Sequence, residues 1–556
     1  MRTLILATLV ALLILRPFPS CAQEGADEVR GQLADAVAAP EEQQVSILAA
    51  LAASGDEFVA VALTAWRRGE MFLIEHNGAT VPALLENADS KEPVRGFVLR
   101  TGEAMADASG NARTFDPRQQ KAADTTAGLR KQIKKTMDLL AISDPDPGNR
   151  ASGVLKLGLM QSPEYFDVLK QRLTIEKDPK VLKKLQEGIA VSALTLGEPD
   201  EVVASAKALG ELRSIAGLDF LNNIIKTQEA LPPAEQNTAL LKEATGSVKA
   251  IDDYLGWVDM AGTAFRGVSL GSVLLIVSLG LAITFGLMGV INMAHGEMIA
   301  IGGYSAYMME KWTTAMYGDS ALQWYFLLAI PFSFLMAALA GLILERSVIR
   351  LLYRRPLESL LATWGVSLIL EQVFRLYFGA ANVQVNSPDW LQGSLVISDV
   401  SLGYNRMFVI LFAVLIVLGT VLLMAKTPLG LCIRAVMQNR DMAACVGIQT
   451  SKIRMMTFAF GSGLAGLAGC FLSQIGNVGP AMGQNYIVDS FMVVVAGGVG
   501  NLFGTVFASL GIGMTDQMLQ PVLGPVMGKV CVLIAIIIFL QWRPGGLFAA
   551  KSRSLD

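Results

Sequence analysis

The sequence predicts an all-α protein in two parts, a soluble helical domain followed by a polytopic helical membrane domain. Three observations predict it. Mean hydropathy over the 556 residues is positive although the first half is polar. About eight apolar runs of spanning length follow Leu255. In the polar half, apolar residues recur at helical spacing, as in Leu182, Leu185 and Ile189 or Leu218, Leu221 and Ile225. The boundaries read from these changes are 1–22, a signal peptide; 23–254, an exported helical domain; and 255–556, the transmembrane domain. A formal net charge of -3 gives no indication of nucleic-acid binding.

The leader has Arg2 at its positive end, an apolar run from Leu4 to Leu15, and small residues Ser20-Cys21-Ala22 before Gln23. Arg16 and Pro17 leave an uncleaved anchor open, and Cys21 a lipoprotein. Each reading exports the polar half. Asp178-Pro179 and Ser162-Pro163 are helix starts, a capping residue followed by proline at the first helical position. Recurring starts of this kind predict helical hairpins, stacked in a HEAT-like array. One exception is a β-hairpin, Met71–Ile74 and Ala79–Val81 turned at Asn77-Gly78. His76 beside that turn is expected on the surface, and 111–135 is expected to form a loop leading into a helix.

Chemistry of the enzymatic kind is not expected. The polar half carries no GxSxG or HExxH, and two histidines in the whole chain all but exclude histidine-based metal sites and triads. Of the five cysteines, Cys21 lies in the leader and the others lie in the apolar half without CxxC spacing, so the polar half is no disulfide-stapled module. No catalytic residue, metal or cofactor is expected. A binding, docking or stabilising role is.

The expected spans are Phe265–Ile291, Met293–Met309, Leu322–Leu344, Ser359–Phe378, Met407–Ala425, Met455–Ile475, Ser490–Gly513 and Val522–Trp542. Gly461, Ala465 and Gly469 form a small-residue face for close helix packing. Positive charge crowds three regions: Arg346, Arg350, Arg354 and Arg355; Lys426, Arg434, Arg440, Lys452 and Arg454; and Arg543, Lys551 and Arg553. The loops Glu310–Gln323 and Gly379–Arg406 carry few. The positive-inside rule makes the first group cytoplasmic and the second external. Eight full crossings from an exported domain would leave the basic tail outside, so one segment must be irregular. The interruption A-G-G-V-G-N-L-F-G, Ala496 to Gly504, is the expected place; Gly289–Tyr304 is the alternative.

That alternative holds the first polar candidates. Asn292, His295 and Glu297 lie between apolar segments, where they form either a lipid-embedded polar site or an interfacial turn that seals backbone groups. A neutral solute crossing a dry pore needs amide and hydroxyl partners, because each unpaired group costs about 1–3 kcal/mol. Asn292, Thr363, Ser367, Gln474 and Asn477 can supply them, and so can carbonyls around Gly497, Gly498 and Gly500. Glu297 is expected to pair with a neighbour, and Glu371 with Arg375 four residues on.

Four motifs in order, V-I-N-M-A-H-G-E-M (Val290 to Met298), R-R-P-L-E-S-L-L-A-T-W-G-V-S-L-I-L (Arg354 to Leu370), I-R-A-V-M-Q-N-R-D-M-A-A-C-V-G-I (Ile433 to Ile448) and V-A-G-G-V-G-N-L-F-G with W-R-P-G-G-L-F (Trp542 to Phe548), resemble the branched-chain amino acid type of ABC permease. The L-L-A-T-W-G-V-S wording and the long extension resemble its urea-transporter branch. The resemblance implies alternating access in an inner-membrane importer. Its partners would be a second permease, two cytoplasmic ATPases and a soluble substrate-binding protein, within membrane lipid. It also implies an ATPase-coupling loop at Arg434, Arg440, Asp441, Ala443, Ala444 and Gly447, although two residues separate Ala444 from Gly447 where three are usual. A solvated loop is the other reading of that stretch. The chain agrees in lacking a Walker A: Gly524 to Val530 has three residues between its glycines and Val where Ser or Thr belongs. Urea or a short amide is the expected substrate; a branched-chain amino acid and a passive solute channel are the alternatives.

Overall fold

The computed structural model describes residues 23–548 apart from 53–55, 77–78, 87–92, 106–111, 290–291, 319–321 and 353–354. The expected signal peptide, the Asn77-Gly78 turn, Arg354, Lys551 and Arg553 lie outside them. The chain divides into two units, Met1–Leu255 and Gly256–Asp556.

In the first unit, helices α1 (Gln23–Ala38), α2 (Glu41–Leu51) and α3 (Glu57–Arg68) precede a five-stranded sheet of order β4-β3-β2-β1-β5, formed by β1 (Met71–His76), β2 (Ala79–Leu85), β3 (Val94–Val98), β4 (Thr114–Phe115) and β5 (Lys121–Ala122). The expected hairpin is present, with Met71 opposite Leu84 and His76 opposite Ala79. Strands β3, β4 and β5 were not expected; β4 and β5 interrupt the loop expected from 111, and the helix it was expected to lead into begins at Ala127. Two-residue strands such as β4 and β5 are too short to show a period of two, so their partners alone define them. Alternation along β1 serves two cores: Met71 and Leu73 pack with α1–α3 and with Leu129 and Ile133, while Phe72 and Ile74 pack with Leu85, Met105 and Phe115 on the other face.

Helices α4 (Ala127–Ala141), α5 (Pro147–Leu159), α6 (Pro163–Ile175), α7 (Pro179–Leu196), α8 (Pro199–Leu212) and α9 (Leu218–Glu229) then stack. Four of them, α5 to α8, begin with proline at the first turn. Asp146 and Asp178 accept hydrogen bonds from the amides they cap, while Ser162 does not. Between α6 and α7, buried Glu176 receives hydrogen bonds from Arg150 and Arg172 and from the Lys177 and Asp178 amides.

Helix α10 (Thr238–Met288) carries the boundary between the units. The second unit continues with α11 (His295–Tyr317), α12 (Tyr325–Leu344), α13 (Pro356–Phe378), α14 (Tyr404–Lys426), α15 (Pro428–Gln438), α16 (Arg440–Cys445), α17 (Thr450–Leu472), α18 (Met482–Gly497), α19 (Leu502–Leu523) and α20 (Pro525–Trp542). A π-helical turn, Glu345–Ile349, extends α12, and a hairpin of β6 (Ser394–Ile397) and β7 (Val400–Gly403) lies between α13 and α14. Among the described residues six helices are long and apolar enough to cross a membrane: α10, extended α12, α13, α14, α17 and α20. Helix α11 carries His295, Glu297, Glu310 and Lys311, and α18, with 16 residues, reaches only about 24 Å against roughly 30 Å of hydrocarbon.

Burial sorts the helices into an inner and an outer set. The apolar windows of α10 and α17 are 83% and 78% buried, whereas those of α12, α13, α14 and α20 are 28% or less. Helix α11 fits between them because it touches α17 backbone to backbone: a Cβ at Gly302 would overlap the Gly466 carbonyl, and one at Gly469 would overlap that of Ile299. The expected interruption is also present. Helix α18 stops at Gly497, Gly498 and Gly500 have φ of +99° and +78°, and α19 starts at Leu502 under an Asn501 cap. The C-terminal W-R-P-G-G-L-F segment covers this break, with Leu547 N–H donating to the Ala496 carbonyl at 2.8 Å.

Two consequences are measurable. Replacing Gly302 by Ala should separate α11 from α17 and cost about 1–3 kcal/mol, a lower unfolding temperature of the detergent-solubilised chain being the readout. In the first unit, burial opposes ionisation of Glu176, but the Arg150, Asp178, Lys177 and Arg172 hydrogen bonds outweigh it and hold the carboxyl down to about 2, from 4.5. A depressed folded-state value stabilises above the unfolded one, so on the order of 3 kcal/mol is present above pH 4.5 and lost as pH falls from 4.5 toward 2. Unfolding of that unit across this range should show the slope, and Glu176→Gln should remove it.

Candidate translocation path

Helix α13 presents lipid-facing residues on most of its surface: Leu357, Leu361, Ile369 and Leu376 are each more than 60% exposed. Its inner stripe is polar. Thr363, Ser367, Glu371 and Arg375 recur every four residues, one turn or about 6 Å per step. The first three are at most 8% exposed. The repeat makes a ladder of hydroxyls and one carboxylate along a helix that crosses the apolar layer.

The ladder meets α11 and the segment before it. Thr363 Oγ1 accepts from the Met293 amide at 3.2 Å, and Asn292 Oδ1 accepts from the Ala294 amide at 3.1 Å. Asn292 and Thr363 thus seal the backbone where α10 has ended and α11 has not begun, which is the sealing role the sequence left open. One turn on, Ser367 Oγ donates to Glu297 Oε1 at 2.9 Å. Glu371 accepts from Arg375, as expected, and also from Gln484 of α18 at 2.6 Å, a partner the sequence reading missed. The nearest signal for Gln484 was a polar residue at the start of an apolar run. His295 Nε2 lies 3.3 Å from the Val277 carbonyl of α10. Among the described residues Asn292 Nδ2, His295 Nδ1 and Glu297 Oε2 are buried and have no partner. Polar groups in such a place are costly and mark a candidate path or partner site.

Gln474 and Asn477 lie elsewhere, in the connection from α17 to α18. That connection and the one from α13 to α14 emerge at the end of the unit opposite the basic loops, since α13 and α17 both start at the basic end. They are joined by an antiparallel bridge, Val383 with Val478. Two cavities of about 350 and 370 Å³ adjoin there and share Asn477 in their walls. Asn485, next to Gln484, lines the first, so the rim leads onto the Glu371 end of the ladder. The glycines Gly497, Gly498 and Gly500 are not on the ladder; Gly500 lines a third cavity of about 270 Å³ with Arg434 and Met437.

At the basic end α15 and α16 form the candidate coupling element. Arg434 is on α15; Arg440, Asp441, Ala443 and Ala444 are on α16, which Asn439 caps and Gly447, at φ +91°, terminates. Ala443 is buried. Leu431, Met442 and Val446, each 60% exposed or more, add an apolar surface that the charge-based reading missed. Gly524 to Val530 is no nucleotide loop: α20 begins at Pro525, and Lys529 pairs with Asp489 at 3.0 Å.

Ser367→Ala should leave both Glu297 carboxylate oxygens unpartnered, costing about 1–3 kcal/mol, while Ser367→Thr keeps the hydroxyl. Thermal unfolding of the two variants should separate them, with the alanine form lower.

The comparisons with known proteins bear on the second unit. Residues 263–540 match the family model described as branched-chain amino acid transport system / permease component. The chain is 27% identical over 290 residues to the high-affinity branched-chain amino acid transport system permease protein LivH of Salmonella typhimurium, covering 51% of this chain and 93% of that protein. It is 27% identical over 289 residues to the corresponding protein BraD of Pseudomonas aeruginosa, with the same coverage. It is 24% identical over 318 residues to LivM of Escherichia coli, covering 52% of this chain and 70% of that one. No solved structure matches. The matched range includes α13, α15 and α16, and the relatives are transport permease proteins and not enzymes. The chain belongs to the branched-chain amino acid transport permease family and is a multi-pass membrane protein.

Proposed function

We propose that this chain is the membrane-spanning subunit of an ATP-driven importer that passes a branched-chain amino acid by alternating access. The observation that carries this reading is the similarity to relatives named for that transport over nearly their full length. The comparisons give no support to urea, which was the expectation from the L-L-A-T-W-G-V-S wording. One observation keeps urea or a short amide as a second reading: the rim above the ladder is built of neutral carboxamides. In either case the solute enters at the rim and follows the α13 ladder past Glu371, Ser367 and Thr363.

The α15–α16 element is the ATPase dock, with Leu431, Met442 and Val446 as its apolar contacts and Arg434, Arg440 and Asp441 as its polar ones. A second permease completes the pore, and a soluble receptor delivers solute at the rim. The positive charge of the basic loops supports an orientation with α15–α16 and the C-terminus facing the cytoplasm and the N-terminal unit facing outward. Closure of the ATPases and docking of the receptor bias a two-state pore through their different affinities for its states.

Uptake of labelled leucine and labelled urea into vesicles containing this chain and its partners, with and without ATP and receptor, tests the reading. Leucine uptake that requires every component is the expected outcome. ATP-dependent urea uptake without leucine uptake would move the assignment to the second reading, and flux of either solute without ATP would make the chain a channel.

A further inference from the structure

Carboxamides recur in the walls of the two cavities at the rim, beside apolar residues such as Leu472, Met482 and Val385. Asn382, Asn477 and Asn485 line the first; Gln384, Gln392, Gln474 and again Asn477 line the second. Among the described residues no Asp, Glu, Lys, Arg or His lines either, and Tyr486 is the ionisable group there. Charged groups of the surrounding elements stand behind these walls and are paired there: Glu310 accepts two hydrogen bonds from Asn386, Asp389 accepts from Gln392, and Lys529 pairs with Asp489 and donates to the Asn485 carbonyl. A carboxamide offers two donors and an acceptor without a net charge. The walls therefore match a head group that itself has both.

The frame is fixed. Besides the Val383–Val478 bridge, Tyr325 OH donates to the Asn386 carbonyl, Gln474 Nε2 donates to Tyr325 OH at 3.1 Å, and Asn405 Nδ2 donates to the Gln474 carbonyl at 2.9 Å. These bonds tie the two connections to α12 and α14. Gln474 is 5% exposed, and among the described residues its Oε1 has no partner. A carboxamide held by its NH₂ end, with its oxygen unused beside a cavity, is poised to accept from a ligand N–H.

We infer that the paired cavities are a receiving site for a solute of zero net charge whose head carries both donors and acceptors, an α-amino acid zwitterion or a ureido or amide group. The inference rests on the permease reading for its place in transport. Gln474 Oε1 takes an N–H of the head, and the Asn477 side chain, between the cavities, contacts it as it moves toward Asn485 and the ladder. Net-charged solutes are rejected because no countercharge offsets their desolvation.

The test uses the full transporter in vesicles and, separately, the purified chain. Asn477→Asp introduces a carboxylate into the shared wall; KM for uptake should rise about tenfold. An unchanged KM overturns the assignment. Should that variant fail to assemble, Asn485→Cys in a chain whose native cysteines are replaced provides the second measurement. Its labelling by a water-soluble maleimide should be slowed severalfold by millimolar leucine or urea, and not by lysine or glutamate. Slowing by leucine alone identifies the zwitterion as the ligand, and by urea alone the amide. No slowing by either, or equal slowing by lysine and glutamate, overturns the site. Labelling needs no transport, so vesicles that take up neither solute would refute the permease reading while leaving this result to stand on its own.

Discussion

Everything in the second unit depends on how closely α11 approaches its neighbours. This helix carries two buried carboxylates and a buried histidine, and such groups are tolerated in an apolar layer only when protein surrounds them. Gly302 against Gly466 and Gly469 against Ile299 bring the backbones into contact, leaving no gap that lipid could enter. Once α11 is enclosed, Glu297 must find its partner on an adjacent helix, and Ser367 is within reach. The polar ladder of α13 follows from this contact.

A permease has to reconcile a stable bilayer protein with a polar passage. Here the two demands fall on opposite faces of single helices. Leu361, Ile369 and Leu376 of α13 face outward while Thr363 and Ser367 meet the α11 side and Glu371 meets α18, so an apolar surface and a buried polar stripe share one scaffold. Irregular backbone is confined in the same way. The gap before α11 is closed by Asn292 and Thr363, and the break after α18 is covered by the C-terminal segment through Leu547 and Ala496. In an apolar medium each such group left open would cost several kcal/mol.

The proposed coupling element shows why charge alone was an incomplete guide. Arg434, Arg440 and Asp441 draw attention in a sequence because charge is conspicuous after an apolar run. Leu431, Met442 and Val446 look like ordinary core residues there, and only their exposure marks them as contacts for another surface. The N-terminal unit gives the converse case. Its proline-initiated helices were visible because proline and aspartate act locally, whereas β3, β4 and β5 exist only through pairing with strands distant in sequence.

By itself the sequence determined what local chemistry determines. Hydropathy located six of the eight expected spans, Met293–Met309 and Ser490–Gly513 being the two that do not qualify among the described residues, while proline and capping residues marked helix starts, glycine the interruption between α18 and α19, and i, i+4 spacing the Glu371–Arg375 pair. Four ordered motifs pointed to the permease family. What only the tertiary structure decided are the meetings between elements: Glu297 with Ser367, Glu371 with Gln484, the C-terminal segment with the glycine break, and the two connections that enclose the carboxamide rim. Each joins residues tens to more than a hundred positions apart, and no periodicity records which helix lies beside which. That choice is made by side-chain volume at the helix contacts, where a missing Cβ on Gly302 or Gly469 sets the separation of the whole bundle.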